Sequence, residues 1–216
     1  KNNFDIVVAV GGDGSVNEIG RGLVNTSVAL GIIPAGSGNG LARHLGIPLD
    51  HSKAIKSLNT GKISTIDSMK INDNFCAGIA GVGLDAHIGW KFSEFGKRGL
   101  SSYIKVFLKE FFSYKKNEYS ILIDGKNYKR EAMLISLANS SQFGNNAYIS
   151  PTADITDGLI DVCILKPFPK ILTPYLAFLM FNKTITGSSY MEIIRGKNIS
   201  IIQNNDQAHI DGEPLI

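Results

Sequence analysis

The chain has 216 residues, 44% of them hydrophobic and 19% charged, a balance that excludes disorder and supports a sizeable core. Its formal charge of +3 is too small for a protein that tracks nucleic-acid phosphates. Cys76 and Cys163 fit neither a metal spacing nor a disulfide framework, no stretch reaches the ~18 apolar residues of a spanning helix, and the first residues are no signal peptide, so a soluble protein of a reducing cytoplasm is expected.

Ile6 to Val10 is a continuous β-branched run, the pattern of a parallel strand buried on both faces. It stops at Gly11-Gly12-Asp13-Gly14, after which Val16, Ile19 and Leu23 fall at helical spacing. Ser15 is the expected N-cap, with Glu18 completing a capping box. A second strand over Val28 to Ile33 ends at Pro34 and a second glycine turn, Gly36-Ser37-Gly38-Asn39-Gly40. A short helical piece through Leu45 follows, and Ala54, Ile55 and Leu58 mark a helix closed by Gly61. Strand, glycine loop and helix, repeated, predict one side of an α/β sheet over residues 1–60.

Beyond Gly61 the pattern changes. Residues 62–88 and 119–138 read as strands broken by turns at Asn72-Asp73-Asn74 and Asp124-Gly125. Further strands are expected at Ile160–Leu165, Asn198–Ile202 and Ala208–Ile210, so residues 61–216 predict an antiparallel sandwich or barrel-like domain. The exception is 90–116, where Ile104, Phe107, Leu108 and Phe111 share one helical face.

Both glycine loops follow a strand and should lie at the carboxyl edge of one sheet, where ligands bind in open α/β folds. Glycines let backbone N–H groups approach an anion, and a helix N-terminus favours one, so a phosphate is the expected guest. Asp13 changes the chemistry, because a bare carboxylate repels phosphate by ~4 kcal/mol at ~4 Å and an effective dielectric near 20. An acid at that place implies Mg²⁺ to bridge it, or a proton to be taken from a nucleophile. Neither a Walker loop nor a completed dinucleotide fingerprint is present.

Val10-Gly11-Gly12-Asp13-Gly14-Ser15-Val16-Asn17-Glu18 resembles the nucleotide motif of the diacylglycerol kinase and sphingosine kinase superfamily. Ile33-Pro34-Ala35-Gly36-Ser37-Gly38-Asn39-Gly40-Leu41-Ala42-Arg43 resembles its second motif. Gly81 to Ala86, Asp157-Gly158-Leu159-Ile160-Asp161 and His209-Ile210-Asp211-Gly212-Glu213 resemble three more, in order along nearly the whole chain. The resemblance implies transfer of the ATP γ-phosphoryl group to the hydroxyl of a lipid, diacylglycerol or sphingoid-like. It implies a parallel α/β nucleotide-binding domain, partial here, followed by an antiparallel β-sandwich lipid domain. By the same resemblance, Gly11, Gly12, Asp13, Gly14, Ser15, Asn17, Glu18 and Ser37 line the ATP phosphates. Asp13 acts at the reacting centre with Mg²⁺, and Glu213 accepts the proton of the lipid hydroxyl. Asp154, Asp157 and the backbone of Leu159 hold a structural Mg²⁺, and Asp85 contacts the lipid head group. Family members carry an earlier segment with an Asn-Pro-x-x-Gly-like turn; this sequence begins after it, so a nucleotide domain incomplete at its N-terminus is expected. The alternatives are a NAD kinase-like enzyme, which shares Gly-Gly-Asp-Gly, and a non-catalytic lipid- or nucleotide-binding module.

Between Trp90 and Lys116 seven basic residues stand against Glu94 and Glu110, together with eight of the nineteen aromatics. That composition suits peripheral contact with an anionic membrane. The competing reading is a core-facing aromatic stripe with a solvated basic face.

Overall fold

A computed structural model of the chain describes residues 4–94, 100–204 and 206–215, with the backbone alone at 92, 94 and 100–106. The elements in chain order begin with β1 (Ile6–Gly11), α1 (Asp13–Leu23), β2 (Ala29–Pro34), α2 (Gly40–His44) and α3 (His51–Thr60). There follow β3 (Met69–Ile71), β4 (Asn74–Cys76), β5 (Ile79–Gly83), α4 (Leu84–Glu94) and α5 (Leu100–Ser113). Next come β6 (Asn117–Ile123), β7 (Lys126–Ala132), β8 (Leu134–Ala138), β9 (Ile160–Leu165) and α6 (Thr173–Phe181). The chain closes with β10 (Met191–Gly196), β11 (Ile199–Ile202), β12 (Ala208–Ile210) and β13 (Glu213–Leu215).

β1 and β2 run parallel, in register from Ile6 opposite Ala29 to Gly11 opposite Pro34. Both strands therefore end side by side and deliver both glycine loops to one edge. Ala9, Val16, Ile32, Leu41 and Ala42 form the core beneath them. The expectation that β1 is buried on both faces is corrected: Ile6, Val8 and Val10, which share one face, are exposed, while Ala9 on the other face is buried. The capping box is also corrected. Gly12 is the N-cap, so Ser15 lies inside the first turn of α1, and no side chain caps that end.

The rest is antiparallel. A six-stranded sheet in the order β10-β9-β8-β5-β12-β13 faces a three-stranded sheet, β11-β6-β7. The alternation of side chains along β9 shows why both of its faces are apolar. Val162 and Ile164 pack with Ile121, Ile123 and Ile135 between the sheets, whereas Cys163 and Leu165 pack with Ile88, Phe111 and Leu176 beneath the helices. The partial parallel α/β unit and the antiparallel sandwich expected from the sequence are both present. Asn72 and the Asp124-Gly125 pair take positive φ, as the expected turns require.

The strand expectation over 62–88 fails at both ends, residues 62–68 taking no regular structure before β3. Residues 84–88 are helical, not strand: Leu84 and Ile88, one helical turn apart, both bury against the outer face of the six-stranded sheet. The helix α6 was not anticipated; its run is apolar on every side and shows no period. Of the face proposed on α5, Phe107 and Phe111 stack at 5.3 Å and join the core, while Leu108 is exposed. Phe95, Lys97 and Arg98 lie outside the described residues, as do the side chains of Phe92, Glu94, Tyr103, Ile104 and Lys105. Among the described residues no helix is long and apolar enough to cross a membrane. Cys76 and Cys163 are both buried thiols.

Candidate active site

The two glycine loops meet backbone to backbone. A Cβ on Gly36 would run into the Cα of Gly12, so only glycine permits this approach. A Cβ on Gly11 would strike the Ser15 hydroxyl. The second loop closes on itself through Asn39, which takes a left-handed φ of 51°. Its side chain accepts from the Gly36 N–H at 2.9 Å and donates to the Gly36 carbonyl at 2.8 Å. Arg43 braces the same loop, donating to the Gly38 carbonyl and to Asn146. Ser15, Glu18 and Ser37 are exposed around this backbone cradle.

Asp13 opens α1 and tucks under the second loop, where its Oδ1 accepts the Leu41 N–H at 3.2 Å. Burial pushes its carboxyl above the usual value, and the charge of Asp211 pushes the same way, while N–H groups of Gly40, Leu41 and Asn39 oppose the shift. An acid held in that state is short of positive charge.

From the far end of the chain, the β12–β13 hairpin brings Glu213 to this loop. Its Oε1 lies 3.3 Å from where a Cβ on Gly14 would sit. Asp211 (φ 48°) and Gly212 (φ 84°) both take positive φ, as a type I′ turn demands. Asp211 is the anchor. One of its oxygens accepts the N–H groups of Gly78 and Ile79, and the other accepts that of Ala77 and the Asn17 amide at 2.6 Å. Asn17 also donates to the Phe75 carbonyl, so its side chain serves the hairpin rather than the glycine loop. A cavity of about 170 Å³ opens here, lined by Gly14, Asn17, Arg21, Phe75, Asp211 and Glu213 among others.

The second loop is also locked to the sandwich. A Cβ on Gly144 would clash with Gly38, and the Asn145 N–H donates to the Gly38 carbonyl at 3.2 Å. His44 accepts the Ser141 N–H at Nδ1, and burial holds its pKa below the usual value.

Residues 1–71 match the family model described as the diacylglycerol kinase catalytic domain, and residues 78–216 match the YegS C-terminal NAD kinase beta sandwich-like domain. This chain belongs to the diacylglycerol kinase family. A diacylglycerol kinase of Bacillus subtilis (strain 168) is 32% identical over 168 residues, which cover 76% of this chain and 55% of that protein. A probable lipid kinase YegS-like protein of Klebsiella pneumoniae (strain 342) is 30% identical over 224 residues, covering 99% and 72%. The crystal structure of a putative diacylglycerol kinase from Bacillus anthracis str. Sterne has the same fold, with a TM-score of 0.74 at 24% identity over 97% of this chain and 70% of that one. The chain thus spans 55% of the length of the Bacillus subtilis relative and about seven-tenths of the other two.

The other candidate residues of this diacylglycerol kinase family member do not line that cavity. Asp85, at the start of α4, is nearly buried. Its Oδ2 accepts from His209 Nε2 at 3.0 Å and from the Ser136 hydroxyl at 3.1 Å. His209 Nδ1 is buried without a partner among the described residues. Asp154 accepts from both the N–H and the hydroxyl of Thr156, which hold its carboxyl below the usual range. Asp157 accepts the Leu159 N–H on one oxygen and pairs with Arg195 on the other, at 3.2 Å. Among the described residues no group of three His, Cys, Asp or Glu is arranged to hold a metal ion.

Sequence reasoning missed Asp211, Asn39 and the His209–Ser136 environment of Asp85. Asn39 carried a usable signal, since an asparagine between two glycines tolerates the left-handed backbone. The partners of Asp211 lie more than 130 residues away in the chain, and no local pattern points to them.

Proposed function

We propose that this chain is the catalytic unit of an ATP-dependent lipid kinase that phosphorylates a lipid hydroxyl. One observation carries the reading: Glu213, on the sandwich, lies against Gly14 in the first glycine loop, beside Asp13. Residues 1–60 serve the nucleotide, whose phosphates rest on the N–H groups of Gly11 to Ser15 and on Ser37, at the positive end of α1. Residues 61–216 present the lipid. Glu213 takes the hydroxyl proton as the lipid oxygen bonds to the γ-phosphorus and the β–γ bridging oxygen leaves with its electron pair. Catalysis then rests on positioning and charge neutralisation.

The residues around Asp13 suit Mg²⁺: the donor is a hard carboxylate oxygen, and burial leaves it wanting positive charge. When bound there, Mg²⁺ supplies neutralisation of the phosphate charge that Asp13 alone would repel. The 154–159 turn is different. Its carboxylates already serve Thr156, Leu159 and Arg195, so as they stand Asp154, Asp157 and Leu159 do not form a cation cage. A structural Mg²⁺ there requires Arg195 to release Asp157, which a Mg²⁺-dependent rise in melting temperature would report. The Asp85–His209–Ser136 cluster is proposed to meet the lipid head group, with the unpartnered His209 Nδ1 in support. The protein would work at the cytoplasmic face of a membrane, with residues 90–116 in peripheral contact. Transfer of radiolabelled γ-phosphate from ATP to extracted lipids, with Asp13→Asn as the blank, tests the assignment; label confined to inorganic phosphate would contradict it.

A further inference from the structure

The strongest surface feature of the molecule lies outside the cleft. An apolar helix with no polar face belongs inside a protein, yet α6 is buried on one side only. Leu176 is 4% exposed and packs into the core, whereas Tyr175 and Phe178 are 54% and 61% exposed. Phe181 is equally open, and Ile171, in the turn leading into α6, is 85% exposed. At 100° per residue, Tyr175, Phe178 and Phe181 fall within about one third of the helix circumference. The patch continues onto the end of α5. Lys170, the neighbour of Ile171, donates to the carbonyl of the exposed Phe112 and lies over the Phe111 ring.

The sequence that carries the patch is rich in lysine. From Val162 to Met191 there is no Asp or Glu, while Lys170 and Lys183 are present together with Lys166, which pairs with Glu192. Lys109 and Lys115, both exposed, flank the same end of α5. A rigid aromatic face bordered by lysines matches an anionic bilayer: rings enter the acyl boundary and ammonium groups stay among the head groups. A second copy of the chain would bring the same lysines face to face, which like-charge repulsion disfavours.

We propose that the α6 face, Ile171 to Phe181 with Phe112, is a docking surface for a bilayer containing anionic lipid. It goes beyond the peripheral contact assigned to residues 90–116, and it stands without the phosphoryl-transfer reading, because vesicle binding is measured without turnover.

The test is sedimentation of the full chain with vesicles of phosphatidylglycerol and phosphatidylcholine, at low and high salt. Phe178→Ser with Phe181→Ser removes two exposed rings, so the fold should persist, as a melting curve checks. Partitioning should fall at least tenfold, and wild-type binding should weaken with salt and on pure phosphatidylcholine. Because Cys76 and Cys163 are buried, a polarity-sensitive dye on Phe178→Cys labels one site. Its emission should shift to the blue with vesicles, whereas the same dye on Lys126→Cys, at the β6–β7 turn, should not shift. Unchanged partitioning of the double variant, or no dye shift at 178, would overturn the proposal. A concentration-dependent dimer that the double variant abolishes would overturn it too, by showing that a second copy covers the face.

Discussion

Asp211→Asn separates the hydrogen bonding of the β12–β13 turn from its shape. Asparagine adopts a left-handed backbone as readily as aspartate, so the φ of 48° at position 211 remains available. The change is in acceptors. The carboxylate takes the Gly78 and Ile79 N–H groups on one oxygen, and the Ala77 N–H with the Asn17 amide on the other. An amide keeps one oxygen and puts an NH₂ in place of the second, so either flip leaves two donors facing a third. Hydrogen bonds to a charged group contribute ~1.5–3 kcal/mol each, which puts the gross loss at ~3–6 kcal/mol. Relief of the repulsion between Asp211 and Asp13 offsets a small part. A net loss of ~3 kcal/mol corresponds to about 6–12 °C in melting temperature for a chain of this size. Urea unfolding with an unchanged m-value, alongside thermal melts, measures it. A loss below ~1 kcal/mol would refute the anchoring role, the number being well under one such bond. The same variant also reports on Asp13. With the Asp211 charge gone, the Asp13 carboxyl should move down toward its ordinary 3.8, carrying the acid limb of activity to lower pH.

Asp13→Asn should cut turnover by ~10² or more, the scale of a positioned acid–base group, and turnover within tenfold of wild type would remove Asp13 from the chemistry. Its effect on stability has the opposite sign. The folded-state pKa of Asp13 is raised above 3.8, so the ionised carboxylate destabilises the fold at neutral pH and ceases to do so once pH falls below 3.8. The variant should therefore melt higher than wild type at pH 7, with the gain fading toward pH 3.8; a lower melting temperature at pH 7 would contradict the assignment. Gly36→Ala forces a Cβ against the Gly12 backbone, which has no side chain to give way. Calorimetric ATP affinity should fall more than tenfold, and an unchanged affinity would detach the loops from the nucleotide. Gly22→Ala, inside α1 with open space around it, should instead stabilise by ~0.5–1 kcal/mol in urea titrations.

Local signals carried the loops well. Gly11-Gly12-Asp13-Gly14 announces a strand end and a helix start because glycine and a buried acid each need a physical reason to be there. Asp124-Gly125 and Asp211-Gly212 are hairpin turns because both require positive φ at two successive residues. Where the chain deceived, the cause was burial on a face whose partner is distant in sequence. Leu84 to Ile88 looks extended until the outer face of the six-stranded sheet is there to cover it. The run from Thr173 to Phe181 has no period to read, since its outward residues are as apolar as its inward ones. Asn17 reads as a nucleotide contact by motif, but the Asp211 carboxylate, 194 positions away, claims its amide. Such pairings become visible only when the chain is folded.

Glu213→Gln tests the central claim most directly, because it keeps the shape beside Gly14 and one acceptor oxygen while removing basicity. A proton acceptor must come within ~3 Å of the attacking hydroxyl, directly or through one water. Lipid phosphorylation should therefore fall steeply, while the ATP dissociation constant, measured by calorimetry on the same preparation, changes by less than about twofold, or ~0.4 kcal/mol. Full activity in that variant would contradict the account and return the terminal motif to a plain hairpin turn; lost ATP affinity would contradict it by moving Glu213 to the nucleotide side of the cleft.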